Sequence, residues 1–146
     1  MLLTKYADYS IRVLIYLAER PGKKIPITAI ADAYDISRNH LMKVSQNLAR
    51  LGYIVGYRGK GGGIALAQPA RNINLGQVLA QVEPNFRAAD PRARPSVTSA
   101  DGRFHEALND AGRACIDSLS RTSLKDLIEA ETAIAPEEPS RCNGTH

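Results

Sequence analysis

The stretch ISRNHLMKVSQNLARLGYIVGYRGKGGGIAL, residues 36–66, decides the fold. Ser37 is a residue type that caps helices, and Arg38 to Leu51 reads as the helix it opens. Leu41, Val44, Leu48 and Leu51 recur at spacings of three, four and three, so one apolar stripe runs along it. Gly52 is placed for a C-cap. Tyr53 to Tyr57 and Ile64 to Leu66 are strand-like runs split by Arg58-Gly59-Lys60-Gly61-Gly62-Gly63, which predicts a β-hairpin over about 53–67 with a glycine-rich, basic tip. Just upstream, about Thr28 to Tyr34 forms a short helix with Ile27, Ile30 and Ala31 inward, and Asp35-Ile36 make a tight turn. A helix-turn-helix at about 28–51 followed by a hairpin is the winged helix-turn-helix order.

Outward from that stretch, a first helix from about Thr4 to Glu19 carries Ile11, Leu14, Ile15 and Ala18 on one face, and Pro21-Gly22 stop it. Beyond the hairpin, about Leu75 to Glu83 is a short helix. Pro84, Pro91 and Pro95 then fall in a stretch with little apolar content, a linker over 85–100. A longer helix over about Asp101 to Ser120 and a last one over about Leu124 to Thr132 follow. The expected fold is mostly α: a winged helix-turn-helix unit over 1–84, the linker, helices over 101–134, and a disordered tail over 135–146.

Composition excludes several classes. With 146 residues and 44% hydrophobic content, the chain has material for one domain with a real core. No apolar run approaches the roughly 20 residues that span a bilayer. Ile11 to Ala18 is interrupted by Arg12 and followed by Glu19-Arg20, unlike a signal peptide. Cys115 and Cys142 are too few and too far apart for a disulfide scaffold or a self-contained metal site. A cytoplasmic protein with no membrane partner is expected. Charge is uneven: residues 1–75 carry 11 Lys+Arg against 4 Asp+Glu (+7), and residues 76–146 carry 8 against 11 (−3), which together give the net +4. The basic half suits a polyanion.

The side chains of the 38–51 helix say which polyanion. Opposite its apolar stripe stand Arg38, Asn39, His40, Lys43, Gln46, Asn47 and Arg50. Arg pairs with guanine edges, Asn and Gln with adenine, Lys and His with backbone oxygens. Ser37, Arg38, Asn39 and His40 cluster at the helix N-terminus, the end that enters the major groove in helix-turn-helix proteins. A polar-faced surface helix alone would carry no such meaning; cap, turn and wing together make it a DNA reader. Arg58, Lys60 and Gly61 in the wing suit a narrow minor groove. The glycine run lacks the spacing of a nucleotide-phosphate loop. His40 and His105 have no second ligand at metal spacing, and no catalytic constellation is present, so a non-enzyme is expected.

Thr4-Lys5-Tyr6-Ala7-Asp8-Tyr9, Ser37 to Lys43, Arg58 to Ile64 and Ile73 to Val78 together resemble the Rrf-type winged-helix transcriptional regulators. The likeness is to their nitric-oxide-responsive repressors and, more loosely, to their iron–sulfur regulators. The resemblance covers about residues 1–84 densely and resumes at Ala107-Leu108 and Thr122 to Ile128. It implies a homodimeric repressor on a palindromic operator, with a recognition helix at about 38–51 and a dimerisation helix near 101–121. Phe104, Leu108, Ala111, Cys115 and Leu119 repeat at four, three, four and four, a seam suited to a partner helix.

The departure from that family concerns its cofactor. Relatives with a cluster carry three cysteines between the short helix after the wing and the dimerisation helix. Here Val82 to Arg113 holds none, and the ligand positions fall near Asp90, Ser96 and Gly102. Asp8 matches the carboxylate that completes the cluster in some relatives. Cys115 reads as buried seam packing and Cys142 as an exposed tail residue. No cofactor and no metal site are therefore expected, and an unknown effector or partner protein takes the place of the cluster. The alternatives are an iron–sulfur cluster on non-standard ligands, for which Asp8 and Cys115 are the candidates, and a protein-interaction module that has lost DNA reading.

Overall fold

The computed structural model describes residues 3–83 and 97–132. Helix α1 (Lys5–Ala18) begins where Thr4, in extended backbone, accepts the Ala7 amide on its hydroxyl at 3.2 Å. Its buried face is Ala7, Ser10, Val13, Leu14, Leu17 and Ala18. This corrects the expected stripe: Leu14 and Ala18 are buried, whereas Ile11 and Ile15 lie at its edge. Ser10 can join the core because its hydroxyl donates to the Tyr6 carbonyl at 2.8 Å.

Helices α2 (Ile27–Tyr34) and α3 (Arg38–Arg50) meet at Asp35, which adopts the left-handed region (φ 52°) and turns the chain sharply. Ile36 plugs the corner, buried, with its amide on the Ala31 carbonyl at 3.0 Å. Leu41, Val44 and Leu48 are sunk into the core as their spacing requires, and Leu51 is half-buried. Each fully buried Leu contributes about 1.5–3 kcal/mol relative to exposure.

Strands β1 (Ile54–Tyr57) and β2 (Gly63–Leu66) pair antiparallel, Ile54 opposite Leu66 and Tyr57 opposite Gly63. A short bridge not foreseen from the sequence holds this wing to the body: Ile25 and Ile64 exchange amide–carbonyl bonds of 2.9 and 2.8 Å. A Cβ on Gly63 would come within 2.5 Å of the Ile25 carbonyl oxygen, so only glycine permits the approach. After a 3₁₀ turn (Ala70–Asn72), α4 (Leu75–Val82) starts on an Asn74 cap. Glu83 then folds back, and its buried carboxylate accepts the Thr4 amide (2.8 Å) and hydroxyl (3.0 Å).

Helix α5 (Ser99–Leu119) starts two residues before its expected beginning at 101, because Thr98 and Asp101 form a reciprocal capping box. Its C-terminal end is sewn to α4: Asn74 donates to the Ser120 carbonyl at 2.6 Å, and the Leu75 amide to that of Thr122 at 3.1 Å. Helix α6 (Leu124–Thr132) returns Leu124 to the core, fully buried. The rest of α5 packs little: none of its residues is buried, and Phe104 and Leu108 are 63% and 54% exposed. Residues 84–96, most of the expected linker, and the expected tail lie outside the described residues.

Candidate nucleic-acid interface

Every residue expected at the interface is exposed: Ser37, Arg38, Asn39, His40 and Lys43 at the start of α3, and Arg58, Lys60 and Gly61 in the wing. Ser37 occupies the N-cap position, but its hydroxyl makes no cap hydrogen bond, so the first amides of α3 have no side-chain acceptor. Arg38 and Arg58 face the same groove between α3 and the wing, about 690 Å³, with Met42, Gln46 and Tyr57 along it. Met42 is an exposed apolar side chain in the middle of the polar face. Asn47 and Arg50 are engaged with each other, the guanidinium donating to the amide oxygen at 2.6 Å.

The wing is positioned from its base. Lys24 lies over the Tyr57 ring, 4.3 Å from its centroid, beside the Ile25–Ile64 bridge. At the tip the Gly62 amide bonds the Gly59 carbonyl at 3.0 Å, and Gly61 takes φ 78°, a turn that a side chain would strain. Arg58 and Lys60 thus stand on a tight, small-residue loop.

Sequence reading missed a group on α1. Lys5, Tyr6 and Tyr9 sit beside His40 and Lys43, and the Tyr9 and His40 rings are 6.3 Å apart. Lysine and tyrosines in the first turns of α1 were the available signal; only the α1–α3 packing brings them to the reading helix.

Residues 3–130 match the Rrf2 family, described as "Iron-dependent Transcriptional regulator". Over 133 residues the chain is 43% identical to the HTH-type transcriptional regulator NsrR of Bacillus subtilis (strain 168), covering 88% of this chain and 91% of that one. The chain belongs to the Rrf2 family. It is a DNA-binding transcriptional regulator and not an enzyme. Among solved Rrf2 structures, Staphylococcus aureus CymR is 27% identical, with 86% of this chain and 97% of that chain covered and a TM-score of 0.65. T. potens IscR, 18% identical with 94% of each chain covered and a TM-score of 0.71, shares the fold.

Among the described residues the donors do not fit an iron–sulfur cluster. Such clusters are held by about four ligands, usually thiolates, and the chain has two cysteines. Cys115 is half-buried on α5. The Asp8 carboxylate is taken by Arg12, whose Nε donates to it at 2.8 Å; that bond and the carboxylate's charge raise the guanidinium pKa further. Gly102, at one expected ligand position, lies within α5 and offers no side-chain donor, while Asp90, Ser96 and Cys142 lie outside the described residues. Among the described residues no three His, Cys, Asp or Glu side chains gather as a metal site needs. No helix among them is long and apolar enough to cross a membrane.

Proposed function

We propose that this Rrf2 regulator is a cytoplasmic repressor that binds a palindromic operator as a homodimer and needs no iron–sulfur cluster to do so. The carrying observation is the exposed set Arg38, Asn39, His40 and Lys43 on α3, beside a wing that presents Arg58 and Lys60. Ser37 and Gly61 complete the reading surface as backbone contacts: uncapped amides at the start of α3 and a close-approach turn in the wing. The exposed Phe104 and Leu108 on α5 support pairing with a second chain through that helix. A two-fold dimer then reads two half-sites about one helical turn, roughly 34–36 Å, apart.

Freedom from a cluster rests on the donor set. Oxygen donors such as Ser hydroxyls hold iron poorly at neutral pH because they must lose a proton to compete. The signal then comes from an unidentified effector or partner protein. The family description favours a second reading, a cluster on non-standard ligands that include Asp8 and Cys115. Selection from random duplex DNA with anaerobically purified protein tests both. The proposal expects an enriched palindrome bound by colourless protein. No enrichment refutes the DNA reading. A visible band near 400 nm with stoichiometric iron and sulfide, lost in Cys115→Ser, establishes the second reading instead.

A further inference from the structure

The buried face of α3 is Leu41, Val44, Ser45 and Leu48, and Met42 lies outside it, 42% exposed. Arg38, Met42 and Gln46 follow one another at spacings of four, so they form a single row along the helix. All three line the groove of about 690 Å³ between α3 and the wing, which Tyr57 and Arg58 also line. Beside Met42 the wall of that groove turns apolar: Ile27, Ala49 and Ile64 join Met42 around a hollow of about 210 Å³. An arginine and a glutamine, both types that hydrogen-bond base edges, thus flank an apolar side chain that is not part of the buried core.

We infer that Met42 reads a thymine through its C5 methyl group and so sets the base preference at one operator position. The inference rests on the proposed DNA reading of α3 and deepens it, adding a base-specific residue that works without a hydrogen bond. On its floor the major groove presents donors and acceptors at every base pair and one apolar feature, the thymine methyl. An exposed apolar side chain inside a polar reading row matches that feature, as Arg38 and Gln46 match the donors and acceptors. Methionine suits the contact because its unbranched, polarisable chain adapts to a small apolar surface. Four residues of helix advance about 6 Å, nearly two base steps of about 3.4 Å, so Met42 addresses a different base pair from Arg38. Removing one methyl from water is worth about fourfold in affinity.

The test uses the full chain, the palindrome selected from random duplex DNA, and duplexes in which deoxyuridine replaces one thymine of a half-site at a time, removing only the methyl. Fluorescence anisotropy at fixed salt reads affinity, and circular dichroism checks the fold of each variant. The parent is expected to lose about fourfold at one thymine and to be indifferent at the others. Met42→Ala is expected to bind the thymine duplex more weakly by a similar factor and to treat thymine and deoxyuridine alike at that position. Met42→Leu, still apolar, is expected to keep the discrimination. A merely structural role for Met42 would weaken every duplex in Met42→Ala and leave the discrimination intact, which would overturn the inference. Parent binding indifferent to every deoxyuridine, or a selected half-site without thymine, would overturn it as well, with the DNA reading of α3 left standing. Failure of the parent to bind any duplex would instead remove that reading, and the inference would fall with it.

Discussion

Helices α3 and α5 are both amphipathic, yet the chain treats them oppositely. On α3, Leu41, Val44, Ser45 and Leu48 are buried by the same chain and the polar face is left to solvent. On α5 no residue is buried, and Phe104 and Leu108 remain exposed above an end fastened by Asn74 and Leu75. The winged-helix unit thus completes its core within one chain, whereas α5 leaves much of its apolar face exposed, the face through which we propose that a second chain pairs. The charges agree, since the +7 balance lies in residues 1–75.

The contrast breaks most visibly under core substitution. Leu41→Ala, at a site with no exposure, is expected to cost about 2–5 kcal/mol in denaturant unfolding. Phe104→Asp should leave helix content unchanged and instead shift the sedimenting species from two chains to one. If Phe104→Asp unfolded the chain as Leu41→Ala does, the two helices would not differ as described.

Effects on DNA come next in size. Arg38→Ala is expected to cost about 1–3 kcal/mol on the selected site and to relax preference at one base pair, read by competition with single-base variants. If Lys60 meets phosphate as proposed, Lys60→Ala should weaken all sequences alike and lower the salt slope by about 0.9. A base-specific loss from Lys60→Ala would exchange the roles given to wing and helix.

The smallest effect belongs to the joint between the two regions. Asp126 accepts the Ser123 amide at 2.7 Å and its hydroxyl at 2.8 Å at the start of α6, and these bonds hold its carboxyl below the ordinary carboxylate range. A carboxyl depressed on folding stabilises the fold above its unfolded pKa of about 3.9 and loses that contribution as pH falls through the folded value. Asp126→Asn should therefore lower the melting temperature slightly at neutral pH, with the gap to the parent closing in acid below pH of about 4.

How much was legible depends on how local each cause is. The stripe of Leu41, Val44 and Leu48 and the glycine-split strands carry their structure in spacing, so helix and wing could be read directly. The earlier start of α5 was also readable, because Thr98 and Asp101 stand at capping-box spacing. The Ile25–Ile64 bridge and the Glu83–Thr4 contact were not, since each joins residues far apart in sequence without periodicity. That Lys5, Tyr6 and Tyr9 lie beside His40 and Lys43 was not legible for the same reason: only the packing of α1 on α3 brings them together. Conversely, Ser37 was readable as a cap position, but not the absence of its cap hydrogen bond, which depends on side-chain orientation.

We propose that two chains, without a cluster, read one two-fold site. Native mass spectrometry of anaerobically purified protein on its selected duplex tests it most directly. Two chains on one duplex, with no mass beyond protein and DNA, are expected. One chain per duplex, or added mass matching iron and sulfide, would contradict it.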